Sequence, residues 1–149
     1  MKLIPSLSEH ISELTRISKA AFETDIDFGS MKAEGPPGYD SADFHAEMLA
    51  GGHLYTLISD KNVIGGAIIF VDEYSDWHMY IGRIFISPNL FRTGCGKALM
   101  GLIETLYPSV TVFTLDTPEW NTRTNPFYLS LGYKEISRAN GEIRYQKQI

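Results

Sequence analysis

A chain of 149 residues, 44% of them apolar, has the length of one ordinary domain and enough apolar content to bury a core without disulfide or metal staples. A formal charge of −5 and a pI near 5.3 argue against a nucleic-acid or anionic-membrane surface, since both need a concentrated cationic field. The longest nearly uncharged apolar run, residues 63–71, is far too short to cross a bilayer, and His10, His45, His53 and His78 stand singly, so no metal site is expected.

In chain order, residues 1–5 suit a short edge strand. Ser6 followed by Glu9 has the spacing of a capping box and should open a helix carrying Leu7, Ile11, Leu14, Ile17 and Ala21 on one face. The absence of an uninterrupted apolar core near Lys2, Glu9, His10 and Glu13 argues against a signal peptide. With the single Cys95, this points to the cytoplasm. Residues 24–40, rich in Gly, Pro and Asp, read as a loop too long to be a passive connection. A weaker helix over residues 41–50 presents Phe44 and Met48 and stops at Gly51 and Gly52.

Residues 53–59 and 63–71 are β-branched or apolar runs around the turn Asp60, Lys61, Asn62, the pattern of a hairpin, and a third strand should cover residues 78–86. Ala98, Leu99, Leu102, Ile103 and Leu106 form an amphipathic stripe that ends before Pro108. A strand over residues 110–115, a short helix ending at Gly132, and a closing hairpin around Asn140 and Gly141 complete the order βααβββαβαββ. The fold class is mixed α/β (α+β), a largely antiparallel central sheet flanked by helices, with residues 1–149 as one domain.

Chemistry concentrates where the third strand runs through a Gly-containing turn into the strongest helix. A helix N-terminus offers unpaired backbone N–H groups and the positive end of the dipole, and glycine lets an anion approach without a Cβ in the way. Arg92 and Lys97 add charge. A P-loop would need Gly at Phe91 and Ser or Thr at Ala98, and a Rossmann fingerprint would need Gly at Leu99, so neither motif is present. The segment resembles the pyrophosphate-binding motif of the GNAT superfamily of N-acetyltransferases, commonly Gln/Arg-x-x-Gly-x-Gly/Ala, with Gly94 and Gly96 in the glycine positions and Phe91 standing where the family usually has Gln or Arg. Downstream, Asn121, Phe127, Tyr128, Gly132 and Tyr133 match the family's Asn-x-x-Ala-x-x-Phe/Leu-Tyr-x-x-x-Gly-Phe/Tyr pattern, with Pro126 a departure that shifts the helix start toward Asn125.

This resemblance implies transfer of an acetyl group from acetyl-coenzyme A to a primary amine of a small molecule, peptide or protein, with no metal. The implied cofactor contacts are the strand residues Ile84, Phe85 and Ile86, the turn residues Phe91, Arg92, Thr93, Gly94, Cys95, Gly96 and Lys97, and Asn121 and Tyr128. Tyr128 matches the tyrosine that protonates the departing thiolate; a phenol suits the role because it is a neutral donor at pH 7. Cys95 reads as packing, and Asn121 reads equally as a helix cap.

The attacking amine must be neutral, which for a lysine-like amine costs about 4.6 kcal/mol at pH 7. Glu73, Asp76, His78 and Tyr80 are candidate bases, with His78 titrating nearest neutrality. Backbone N–H groups near Phe85 should meet the oxyanion, and Gly82 marks a bulge that splays the strand. The acceptor site should form from segments 24–40, 72–77 and 116–120, where Phe28, Tyr39, Trp77 and Trp120 suit a cation with an apolar body. A non-catalytic acyl-coenzyme A sensor on the same fold is the alternative, and a homodimer stays open.

Overall fold

The computed structural model describes residues 1–72 and 75–149. Seven strands form one sheet in the order β1-β2-β3-β4-β5-β7-β6, comprising β1 (Lys2–Pro5), β2 (Leu54–Ser59), β3 (Asn62–Asp72), β4 (Ser75–Ile86), β5 (Val112–Pro118), β6 (Lys134–Ala139) and β7 (Glu142–Gln148). Neighbours are antiparallel except β4 and β5, which are parallel because the helix α3 (Cys95–Thr105) carries the chain back across the sheet between them. The element order matches the expectation from sequence.

The amphipathic stripes decide which helix covers which face. α1 (Ile11–Glu23) buries Leu14, Ile17 and Ala21 against Leu54, Ile68 and Phe85, and α2 (Ala42–Ala50) adds Phe44 and Met48 at the edge of that cluster. α3 drives Leu99, Met100 and Ile103 into the larger cluster on the opposite face, joined by Tyr128 from α4 (Thr124–Ser130). Each fully buried aliphatic side chain of this kind contributes about 1.5–3 kcal/mol. Among the described residues no helix is long and apolar enough to cross a membrane.

One local reading needs correction. The Ser6–Glu9 capping box does not form: Ser6 Oγ lies 2.6 Å from Thr56 Oγ1, and the Leu7 N–H donates instead to His10 Nδ1 at 3.1 Å. α2 is capped by Ser41, whose Oγ accepts from the Phe44 N–H at 3.1 Å.

β4 carries the irregularity that Gly82 marked. Ile68 faces Arg83 across the ladder while Ile69 faces Ile81, so Gly82 is an extra residue with no partner on β3. Before it, Met79 and Ile81 enter the α3-side cluster; after it, Ile84 and Ile86 do, and Phe85 turns to the α1 side.

Candidate functional site: a cleft between two parting strands

β4 and β5 stay paired for only three positions, His78 with Val112, Met79 with Phe113 and Tyr80 with Thr114. Beyond these the strands part. Each keeps its outer edge bonded to an antiparallel neighbour, β4 to β3 as far as Ile86 and β5 to β7 as far as Pro118, so the inner edges face each other unpaired. Unpaired strand edges present free N–H and C=O groups, and here they border a cleft of about 1170 Å³. Gly82 and residues 83–86 form one wall, and Asp116, Thr117 and Pro118 form the other.

At one end the cleft meets the start of α3. Arg92 and Gly94 both take positive φ, 62° and 89°, and bend the chain so that the first amides of α3 open on the cleft. A Cβ on Gly94 would meet nothing within 4 Å, so the left-handed backbone rather than crowding selects glycine. Among the described residues no side chain caps this helix, and the first intrahelical bond is from Ala98 N–H to Gly94 C=O at 3.0 Å. The N–H groups of Cys95, Gly96 and Lys97 are therefore left for an anion, with Arg92 and Lys97 lining the same space.

Ten of the twelve expected cofactor contacts line the cleft: Ile84, Phe85, Ile86, Phe91, Arg92, Gly94, Gly96, Lys97, Asn121 and Tyr128. Thr93 and Cys95 do not. The Thr93 hydroxyl is held in the turn itself, with Leu90 C=O at 2.5 Å and Cys95 Sγ at 3.2 Å, and Cys95 is half-buried against the α3-side core, the packing role its sequence context suggested.

Tyr128 projects from α4 into the cleft, its ring among Phe127, Tyr133 and Tyr145. Its hydroxyl has no hydrogen-bond partner among the described residues. Burial pushes its pKa up, opposed by the nearby Arg123 guanidinium, so the phenol keeps its proton through the neutral range. Asn121 both lines the cleft and caps α4, its Oδ1 accepting from Arg123 N–H at 3.0 Å and Thr124 N–H at 2.9 Å. Pro126 occupies the third position of α4, where its missing N–H would have had no helical partner.

Residues 13–133, which span the parted strands and the α3 turn, match the acetyltransferase (GNAT) family. The chain belongs to the GNAT family of acetyltransferases. Membership indicates acyltransferase activity, with acetyl-coenzyme A as the family's acyl donor. Solved structures agree in fold. The PaiA N-acetyltransferase of Thermoplasma acidophilum in complex with coenzyme A superposes with a TM-score of 0.81 at 12% identity, over 99% of this chain and 98% of that one. A GNAT-family acetyltransferase of Streptococcus agalactiae 2603 gives 0.84 at 17% identity, over 99% and 95%. The ribosomal-protein-S18-alanine N-acetyltransferase of Escherichia coli gives 0.76 at 17% identity, over 99% and 93%. No curated protein matches the sequence.

The other end of the GNAT cleft opens on the α1 side of the sheet. There Asp116 accepts both Arg144 Nε and Nη2 at 2.9 Å, together with the Tyr80 hydroxyl at 2.8 Å. The Arg144 hydrogen bonds hold the Asp116 carboxyl below its usual range, whereas burial and the Asp116 charge raise Glu142, a cleft-lining carboxylate with no hydrogen bond or ion pair among the described residues. Segment 24–40 contributes Asp25, Phe28, Ser30 and Glu34, and Trp120 stands at the rim, as expected. Ser137, Ala139, Asn140, Glu142 and Arg144 of the β6–β7 hairpin also line it, and these were not expected.

Other expected acceptor residues lie elsewhere. Tyr39 is engaged by Glu23 at 2.8 Å, and Trp77 is exposed outside the cleft lining. His78 is not a lining residue either: it sits where β4 and β5 are still bonded, with Nε2 2.8 Å from Thr114 Oγ1 and Nδ1 3.9 Å from Asp72 Oδ2. Asp76 is likewise outside the cleft lining, and Glu73 falls outside the described residues. Of the three candidate bases among the described residues, only Tyr80 lines the cleft, and it donates to Asp116 with its pKa pushed up to about 12 by burial and by that hydrogen bond.

Proposed function

We propose that this protein moves the acetyl group of acetyl-coenzyme A to a primary amine by direct attack within a ternary complex, with Tyr128 as the acid. The observation that carries the reading is a protonated phenol without a partner, buried in the same cleft as the free amides of α3. The amides of residues 95–97, with Arg92 and Lys97, hold the pyrophosphate. The unpaired inner edge of β4 at Ile84, Phe85 and Ile86 takes the pantetheine arm and offers N–H donors to the thioester oxygen. The amine enters from the α1 side, between segment 24–40 and the β6–β7 hairpin.

As the nitrogen–carbonyl bond forms and the carbon–sulfur bond breaks, Tyr128 gives its proton to the sulfur, and the amine's surplus proton leaves toward the acceptor mouth. Tyr80 is a poor base because its proton is held more tightly than usual. Glu142 is the better candidate, an unpaired cleft carboxylate whose raised pKa makes it more basic. His78 is bonded to Thr114 outside the lining and has no part in this scheme.

Purified protein with acetyl-coenzyme A and a panel of primary amines, amino acids and peptide N-termini should release free thiol with at least one acceptor. Coenzyme A should raise the melting temperature where ATP and NAD at equal concentration do not. Tight coenzyme A binding with no transfer to any amine would make the protein a binding module instead, and equal stabilisation by all three nucleotides would overturn the assignment of the α3 turn.

A further inference from the structure

Phe91 is an apolar ring at a position where the resembling motif has a polar side chain, and the cleft finds a use for it. The Arg123 guanidinium lies over the Phe91 ring at 4.9 Å and over the Phe28 ring at 5.4 Å. Phe91 belongs to the turn that leads into α3 and touches both core clusters; Phe28 belongs to segment 24–40 on the acceptor side. One cation thus stands between the two halves of the cleft.

The rest of its bonding is thin. Arg123 Nη2 reaches the buried Asp25 carboxylate only at 3.5 Å, and Arg123 Nε is buried without a partner. Arginine's planar cation stacks well on aromatic faces, and here stacking rather than ion pairing fixes it. Around it, segment 24–30 is pinned to the start of α4. The Thr122 N–H and hydroxyl both donate to Phe28 C=O, at 2.9 and 3.1 Å. Gly29, with φ of 115°, passes so close to Trp120 that a Cβ would come within 2.3 Å of its carbonyl oxygen.

We propose that Arg123 is a positioning residue that couples the acceptor segment to the cofactor turn, so that coenzyme A held beside Phe91 also fixes residues 24–30 and prepares the acceptor site. The inference rests on the reading of the cleft as the acetyl-coenzyme A site. Its chemistry is one shared cation, the Arg123 guanidinium over both the Phe28 and the Phe91 ring, through which fixing one ring restrains the other. Loss of the Arg123 contact therefore weakens acceptor binding to the cofactor-loaded protein.

The test is hydrogen–deuterium exchange over residues 24–30 with and without saturating coenzyme A, alongside steady-state kinetics with an active acceptor. Coenzyme A should slow exchange of this segment in the wild type by about tenfold, the size of effect one stacked cation provides. Arg123→Met should bind coenzyme A yet lose most of that protection, and its acceptor KM should rise about tenfold, with kcat falling as well because the Arg123 charge also favours the Tyr128 phenolate. Arg123→Lys, which keeps the charge and loses the plane, should fall between. Phe91→Leu removes the ring from the other side and keeps the charge, and at saturating coenzyme A it should reproduce the loss of protection and the rise in acceptor KM, which keeps the test open if Arg123→Met does not fold. Undiminished protection in both variants, or a fall confined to kcat, would overturn the proposal. Binding of coenzyme A to the wild type without protection of residues 24–30 would overturn it alone, whereas no binding at all would remove the cofactor reading beneath it.

Discussion

Tyr128→Phe separates the chemical role of this residue from its structural one, because the two predict opposite signs. The ring packs with Phe127, Tyr133 and Tyr145 at centroid distances of 5.2, 5.9 and 6.2 Å, contacts that phenylalanine keeps. The hydroxyl has no hydrogen bond among the described residues, so its removal orphans no partner, and stability should be unchanged or rise by up to about 1 kcal/mol. Loss of a general acid, by contrast, costs on the order of 10²–10⁴ in rate. Burial makes this phenol a weaker acid, and the Arg123 charge only partly offsets that, so a loss near the lower end, about 10²-fold, is expected. Continuous thiol detection should show that fall with every competent acceptor, while thermal melting and coenzyme A affinity stay close to wild type. Activity within about threefold of wild type would refute the acid role, and a melting temperature lower by several degrees would reveal a structural role in its place.

Two further outcomes follow from local geometry. A Cβ at Gly96 would already stand 3.3 Å from the Phe127 ring, so Gly96→Val should destabilise the fold by about 1–3 kcal/mol in denaturant titration and weaken coenzyme A binding by forcing α3 and α4 apart. Tyr80 has its folded pKa raised to about 12 by burial and the Asp116 hydrogen bond, above the ordinary value near 10. Its contribution is fully present below about pH 10 and is lost as pH rises toward about 12, and Tyr80→Phe should flatten that part of the alkaline stability profile.

The fold was legible because its signals are local. The 98–106 stripe, the hairpin turns, the odd glycine in β4 and the proline at the third position of α4 each act within a few residues of themselves. The cofactor end was legible for the same reason: the turn and the helix it opens are contiguous. The acceptor end is built from residues far apart in sequence. Alternation along β7 places Glu142 and Arg144 on one face, but only the β5–β7 pairing brings Arg144 opposite Asp116, and nothing local to either residue announces it. His78 shows the converse. It shares the parity of Tyr80, but it precedes the point where β4 and β5 part, and that point depends on how far two strands remain bonded. Ser6 looked like a cap because its spacing to Glu9 is right, yet a neighbouring strand supplied Thr56 as a closer partner.

The unmatched Gly82 gives β4 two reading frames. Upstream of it odd-numbered residues supply the α3-side core, and downstream even-numbered residues do. Removing this single residue would restore an unbroken ladder and leave Arg83, Ile84, Phe85 and Ile86 on their present faces, because each already stands opposite the β3 residue it would then face. A shortened strand would then keep both cores and lose only the extra residue that lines the cleft between Tyr80 and Arg83. In comparing relatives, the presence or absence of this extra residue therefore bears on the cleft wall and not on the packing of either core.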